Sequence, residues 1–445
     1  MKQQEIIDWF KQHDIEDIEV IVPDMAGVAR GKMLPAEKFL EQPAMRLPES
    51  VFVQTVTGEY LHEPLINPAD RDILVQPDMD TLRVLPWAKN STATVINDCY
   101  YEDGSAVDIS PRQVLRNILE AYQEKNLSPV VAPELEFYLV KRNTDPTVPL
   151  EPPIGRSGRQ ETVRQPFSID ALDEFEPVIE DIYQYADSMG IKIDTLEHEM
   201  GTAQLEINFE HGEAMQLCDH VIMFKRIVRE AAMRHNIYAT FMSKPMQAEP
   251  GSAMHWHISI LDIESNDNIF SDDEDRETEL FKHFIGGLQT YFPEAILFNA
   301  PYVNSYRRFT RWQNAPINIY WGYDNRTTGL RVPSSEPEHR RIENRIAGAD
   351  VNPYLSIAAS LACGYLGMQE EIKPSAPEDS NAYNLPFTLP NNLSNAIEML
   401  ERSEAMQMLF GERFLQIYLE IKKYEYQKYF AGISSWEREF LLLNV

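Results

Sequence analysis

The segment VVAPELEFYLV, residues 130–140, constrains the fold more than any other stretch of the chain. Its β-branched and aromatic residues favour an extended strand, and alternate side chains of a strand share a face. Glu134 and Glu136 therefore project to one side, about 6.6 Å apart along the strand, while Leu135 and Phe137 project to the other. Two carboxylates on one face among apolar neighbours are costly to bury unless cations or a metal ion compensate them. The strand alone leaves open whether that face meets solvent or a ligand.

The same spacing recurs. In SAMHWHISIL, residues 252–261, His255 and His257 alternate with apolar residues, so two imidazoles share a face, placed for ligand or phosphate contact. In HRRIENRIAG, residues 339–348, Arg341, Glu343 and Arg345 alternate with Ile342 and Asn344, a pattern that an ion-pair ladder would also produce. DTLEHEMGTAQLEINF, residues 194–209, carries Glu199 and Glu206 on two extended stretches joined by a turn at Gly201–Thr202. Five glutamates and one or two histidines, with no thiolate among them, suit Mg²⁺ or Mn²⁺ rather than structural zinc. Arginines beside such a cluster suit a phosphoryl group, because their planar forks bind its oxygens in pairs. No GxxxxGK[ST] loop occurs, and no GxGxxG follows a strand, so neither a P-loop nor a Rossmann turn carries a nucleotide here.

The chain has 445 residues, enough for a large domain and a smaller one. Residues 15–34 read as strand, turn and strand, and short apolar segments broken by proline continue to about residue 98. Ser110 and Pro111 then open a helix, as N-cap and first helical residue. A boundary near 105 divides a small β-rich part, 1–105, from a larger α+β part, 106–445. Residues 141–166, 264–279 and 372–392 read as surface loops, and a buried helix is expected after Asn352-Pro353. With 70 acidic residues against 40 Lys and Arg, the net charge of −30 argues against nucleic acid as a partner and would steer cations inward. The absence of an 18-residue apolar run argues against a membrane span, and the amphipathic start does not read as a signal peptide. Three scattered cysteines fit a reducing cytoplasm.

Taken in order, PELEF, EHEMGTAQLE, GSAMHWHIS, NSYRRF, DNRTTGLRVP and RRIENR resemble the motifs of the glutamine synthetase superfamily over essentially the whole chain. The resemblance implies an N-terminal β-grasp-like domain and a catalytic domain on a curved antiparallel sheet. It also implies homo-oligomeric rings, a dodecamer of two hexamers in the bacterial type, with active sites between neighbouring subunits. By motif, Glu136, Glu199 and Glu206 would hold one divalent metal ion, and Glu134, His255 and Glu343 a second. Arg308 and Arg345, with Gly251, would bind substrate glutamate. Arg326, Arg331 and Arg341 would face the ATP phosphates, with His257 and Ser259 on the nucleotide side. Arg326 and Arg308 would then be the arginines at the reacting groups. Arg307 and Arg311 match no motif role.

The chain departs from the ammonia-using members where ammonium binds. Their Gly-Tyr-Glu stretch, whose glutamate takes a proton from ammonium, aligns with Trp312, Gln313 and Asn314. The aspartate of their small-domain loop aligns with Val53, and a pocket tyrosine aligns near Phe167. Losing both acids removes the attraction for a bare ammonium ion and leaves room for an alkyl chain. DMAGVARGK, WGYDNRT and AGADVNPYL further resemble the subgroup that makes γ-glutamyl amides of putrescine and other polyamines. The expected activity is ATP-dependent ligation of glutamate to such an amine, with ammonia-dependent glutamine synthetase and a non-catalytic relative as alternatives. Glu49, Glu59 and Glu63 are candidates for holding a second ammonium group. Tyr383 falls near the family's adenylylation loop, but its surroundings are incomplete and no such control is expected.

Overall fold

The computed structural model describes residues 3–61 and 69–445. Two sheets organise an α+β fold. The smaller contains β1 (Asp17–Pro23), β2 (Ala29–Pro35), β3 (Met45–Pro48), β4 (Asp72–Pro77), β5 (Arg83–Val84) and β6 (Thr92–Tyr100), ordered β2-β1-β6-β4-β3 with β5 on β6. β1 pairs antiparallel with β2 and parallel with β6. The β1–β2 hairpin turns where the sequence places it. The Asp24 carboxylate accepts from the Ala26 and Val28 amides and from Arg30 Nε, at 2.8–2.9 Å, which fixes the turn. Gly27 takes φ +76°, and a Cβ there would press on the Asn352 backbone at 3.3 Å. The Asn352 side chain donates to the Asp24 carbonyl at 2.9 Å and caps the Tyr354 amide, so the hairpin tip docks on a helix start of the larger part.

The larger sheet contains β7 (Leu127–Lys141), β8 (Ile193–His198), β9 (Gln204–Phe209), β10 (Gly212–Glu213), β11 (Ile237–Thr240), β12 (Met254–Asp262), β13 (Trp321–Tyr323), β14 (Leu330–Val332) and β15 (Ile342–Asn344). Its order is β13-β14-β15-β12-β7-β9-β8, with β10 and β11 also on β7. All its pairings are antiparallel among the described residues except β13 with β14. One face is apolar: Leu135, Phe137, Leu205, Ile207, Trp256, Ile258 and Ile342 are essentially inaccessible to solvent. The helix Pro353–Gln369 packs behind it, where Ser356 accepts from the Trp256 indole at 2.9 Å and Ser360 from Asn344 Nδ2 at 3.0 Å. Gly287 and Gly367 let this helix approach the helix Glu279–Ala295 closely; a Cβ on Gly367 would lie 2.5 Å from the Gly287 Cα.

Two details differ from the sequence reading. Ser110 precedes the helix Pro111–Gln123 as expected, but its side chain makes no capping bond. The 141–166 segment is exposed for most of its length, yet the Glu161 side chain turns inward and is only 8% exposed.

Arg112, on that helix, is 2% exposed and joins the two sheets. It contacts Asp78 at 2.6 Å and Asp98 at 2.5 Å beside the small sheet, and Asp219 at 3.0 Å on the helix Ala214–Arg234. Removing one partner of a buried ion cluster strands the others without compensation, typically at about 3–5 kcal/mol. Arg112→Ala should therefore lower stability by about that amount in denaturant titration; a loss below about 1 kcal/mol would mean that apolar packing alone holds the sheets together.

Candidate active site

Strand register assembles the site from the polar face of the larger sheet. Glu136 lies opposite Glu206, Glu134 opposite His255, His257 opposite Glu343, and Glu343 opposite Arg331. Glu199 follows the end of β8 and reaches the same place, its carboxylate accepting from the Met200 amide at 2.7 Å. The face therefore reads, from one edge to the other, as arginine, glutamate, imidazoles and then four more glutamates.

The donor atoms form two groups that adjoin at Glu206, one of whose oxygens also lies within 4.8 Å of donor atoms of Glu134 and His255. One oxygen each from Glu136, Glu199 and Glu206 lies within 4.8 Å of the others. His255 Nδ1 is 3.1 Å from Glu134 and 3.7 Å from Glu343. His257, expected on the nucleotide side, also enters this second group, with Nε2 2.7 Å from Glu134 Oε1, while its Nδ1 accepts from Arg341 Nε at 3.0 Å. The second group thus gathers both histidines around Glu134.

Electrostatics separate the halves. Burial raises Glu136 to about 8, aided by the charge of Glu199. Glu206 is pushed well above the usual carboxylate range by burial and then by the charges of Glu134 and Glu136. In the other half burial is outweighed. Hydrogen bonds from His255 and His257 hold Glu134 well below its ordinary value, and the charges of Arg345 and both histidines bring Glu343 down to about 2. His255 itself is lowered by burial and by Arg345. In the Glu136–Glu199–Glu206 half, burial and the neighbouring carboxylates oppose ionisation, and the charges of Arg308 and Arg345 offset this at Glu136 only in part. All-oxygen donors at this spacing fit a hard divalent cation such as Mg²⁺ or Mn²⁺, and the Glu134–histidine–Glu343 half fits a second.

The arginines border this face. Arg331 donates to Glu343 and Asp324 at 2.6–2.7 Å, and Arg345 also donates to Glu343. Arg345 Nε is buried without a hydrogen-bond partner. Arg308 is 2% exposed and donates to the Ile346 and Arg345 carbonyls at 2.8 and 2.9 Å. Gly251 packs on its stem, since a Cβ there would fall 2.3 Å from Arg308 Cγ. Arg326 is exposed, and its charge is felt by Glu197. Ser259 follows His257 on the same face of β12.

The residues expected at the amine are dispersed within one chain. Trp312 and Phe167 are 60% and 69% exposed, Asn314 is exposed, and all three adopt left-handed backbone, at φ +66°, +62° and +61°. Trp312 lies against Tyr383 with ring centroids 5.4 Å apart, and Tyr383 lies in the field of Arg345 and Arg308. Val53 differs. It ends the short turn Glu49–Val53, is 2% exposed, and lines no open surface of its own chain. The proposed acids for a second ammonium group are also engaged: Glu49 is buried on Arg413 at 2.6 Å and Glu59 pairs with Lys428 at 2.7 Å. Glu63 lies outside the described residues. Arg307 donates to Tyr429, and Arg311 to the Tyr383 and Leu385 carbonyls.

Three contributors escaped the sequence reading. Glu197 lies opposite Glu206, and EHE carries the same alternation as ELE and HWH, so its signal was present. Gln204 donates to both Glu136 and the Gly251 carbonyl at 3.0 Å, linking the carboxylate group to the glycine. Glu161 arrives from a loop whose composition gives no such hint.

Carboxylates, imidazoles and arginines thus share one face of a largely antiparallel sheet, and the comparisons with known proteins give the class as a ligase of the glutamine synthetase family. Residues 108–441 match the glutamine synthetase catalytic domain, and the chain belongs to the glutamine synthetase family. It is 33% identical to gamma-glutamylputrescine synthetase PuuA of Escherichia coli, covering 96% of this chain and 92% of that protein. It is also 33% identical to glutamine synthetase of Pyrococcus abyssi, covering 94% and 92%. Solved structures of GmaS superpose over 98% of both chains, with TM-score 0.82 and 28% identity without ligand, and 0.83 and 27% in complex with ADP.

A cation entering the first group must displace a proton from Glu136, so its binding strengthens as pH rises. Mn²⁺ affinity should increase by about tenfold or more per unit between pH 6 and about 8. Isothermal titration checks this; affinity flat over that range would remove Glu136 from the metal set.

Proposed function

We propose that the protein is an ATP-dependent glutamate–amine ligase whose second substrate is an alkylamine, putrescine or another polyamine first among them. Family membership supports the ligase reading. The observation that carries the choice of amine is the segment 311–316, where Trp312 and Asn314 stand exposed and neither is an acid.

In this reading Arg308 and Arg345 hold glutamate beside Gly251, and Arg326, Arg331 and Arg341 bind the phosphates of ATP. Divalent ions in the two carboxylate groups, when bound, supply charge neutralisation for the phosphates. A glutamate γ-carboxylate oxygen attacks the γ-phosphorus of ATP in line, and the bond to the bridging oxygen of ADP breaks. The unprotonated nitrogen of the amine then attacks the γ-carbonyl. Phosphate leaves with the bonding electrons, and the nitrogen gives up its proton as the amide forms. Arginines fixed by burial and by Glu343 stabilise charge that develops on the phosphoryl oxygens without reorganising, which is where such sites gain most of their rate. An alkylamine gains binding energy from the apolar faces of Trp312 and Phe167, about 0.8 kcal/mol per buried methylene, whereas ammonia gains nothing there.

Assembly into a homo-oligomer, a dodecamer of two hexameric rings, belongs to the same proposal. Phe430, Ile433, Trp436, Leu442 and Leu443 near the C-terminus are each at least 60% exposed, an apolar surface that association would cover. A neighbour's small sheet would be the source of a Val53-bearing turn at the site. No helix among the described residues is long and apolar enough to cross a membrane, and we place the enzyme in the cytoplasm.

Phosphate release with ATP, Mg²⁺ and glutamate, scanned over ammonia, monoamines, putrescine and spermidine, tests the reading. Alkylamine turnover should exceed that with ammonia, and turnover with ammonia alone would reassign the chain as a glutamine synthetase. Asn314→Glu, which restores an acid beside Trp312, should shift kcat/KM towards ammonia by about tenfold, or about 1.4 kcal/mol; an unchanged ratio would show that position 314 does not see the amine.

A further inference from the structure

Residues 161–167 form a strap that is tied down at both ends and in the middle. At one end the Glu161 carboxylate accepts from the Ala203 amide at 2.6 Å and lies 3.1 Å from His198 Nε2. In the middle Arg164 donates to the Ala248 carbonyl at 2.6 Å and lies 3.5 Å from Glu249, whose carboxylate accepts from the Thr202 amide. At the other end the Phe167 amide donates to the His198 carbonyl at 2.8 Å. Every anchor belongs either to the turn that carries Glu199 or to the segment leading to Gly251. The strap therefore crosses between a carboxylate of the site and the glycine beside Arg308.

The backbone shows what the anchors hold. Phe167 sits at φ +62°, a conformation that is unfavourable for a bulky L-residue and persists only where the surroundings over-determine it. Its ring is nonetheless 69% exposed, so burial of the ring does not offset that cost. The anchors do. His198 is inaccessible to solvent and presents one ring nitrogen to Glu161 and the other to the Glu199 carbonyl at 2.8 Å, so Glu161 and the Phe167 backbone are fastened to one rigid residue. A carboxylate that is nearly buried within an exposed loop is costly unless its bonds are needed.

We infer that Glu161 is a positioning residue for amine recognition: through His198 and Ala203 it sets the strap that presents the Phe167 ring to the alkyl part of the amine. This deepens the ligase reading proposed above and rests on it. Glu161 touches neither glutamate nor ATP in this reading, so its loss acts on the amine first. An acceptor at this position is required by the Ala203 amide, which Gln would supply and Ala would not.

The test compares Glu161→Ala, Glu161→Gln, Phe167→Ala and the Glu161→Ala/Phe167→Ala double variant, with putrescine and ammonia varied at saturating ATP and glutamate. Glu161→Ala should raise KM for putrescine about tenfold and reduce its kcat/KM advantage over ammonia, with KM for glutamate and ATP within twofold. Glu161→Gln should recover most of the loss, and the double variant should be no worse than Phe167→Ala alone, because both changes remove one interaction. A fall in kcat shared equally by all amines at unchanged amine KM would overturn the inference and leave Glu161 a purely structural anchor, as would additive losses in the double variant. If the wild type turned over ammonia alone, the proposed function would fail and this inference with it; if the wild type turned over putrescine but Glu161→Ala left its KM unmoved, the inference alone would fail.

Discussion

Mutual repulsion among carboxylates is the constraint around which this molecule is built. Glu134, Glu136, Glu199, Glu206 and Glu343 crowd one face of one sheet, and the strand register leaves them no way to separate. One half of the cluster is balanced within the chain, by two histidines and by Arg345 and Arg331, and its carboxylates stay ionised to low pH. In the other half burial and mutual repulsion win, and Glu136 and Glu206 resist ionisation into the neutral range. A site divided in this way has the donor set to hold hard cations. The apolar back of the sheet, closed by the helix Pro353–Gln369, provides the rigidity that keeps like charges together.

Strand alternation made this site legible from sequence. ELE, HWH and the RIENR ladder each place their polar residues on one face, and the register then brings those faces side by side. Alternation could not say which strand lies next to which, so the entry of His257 into the Glu134 group was not foreseen. The two-sheet α+β fold, the Asp24–Gly27 turn and the buried helix after Asn352 were equally readable, because capping and turn residues act locally. Glu161 and Gln204 were not, since their roles depend on contacts made across long loops.

The residues that the resemblance places at the amine are dispersed within one chain. Trp312, Asn314 and Phe167 stand exposed on left-handed backbone, whereas Val53 is buried at the end of the turn Glu49–Val53. Glu49 and Glu59, which sequence offered as partners for a second ammonium group, are already paired with Arg413 and Lys428. The basic residues of RRFTRWQNAP divide their work: Arg308 faces the site, while Arg307 and Arg311 tie the segment to Tyr429 and to the 383–385 backbone. In the proposed reading, recognition of the amine rests on shape and apolar surface more than on charge.

In the mechanism proposed above, this face transfers a phosphoryl group to the glutamate side chain before the amine reacts. The most direct measurement supplies glutamate with ¹⁸O in its γ-carboxylate and follows the label by mass spectrometry during turnover. The account predicts that each phosphate released carries one ¹⁸O atom, because the carboxylate oxygen that attacks phosphorus leaves with it. Phosphate that emerges without the label would mean that the carboxylate is never phosphorylated and would contradict the account.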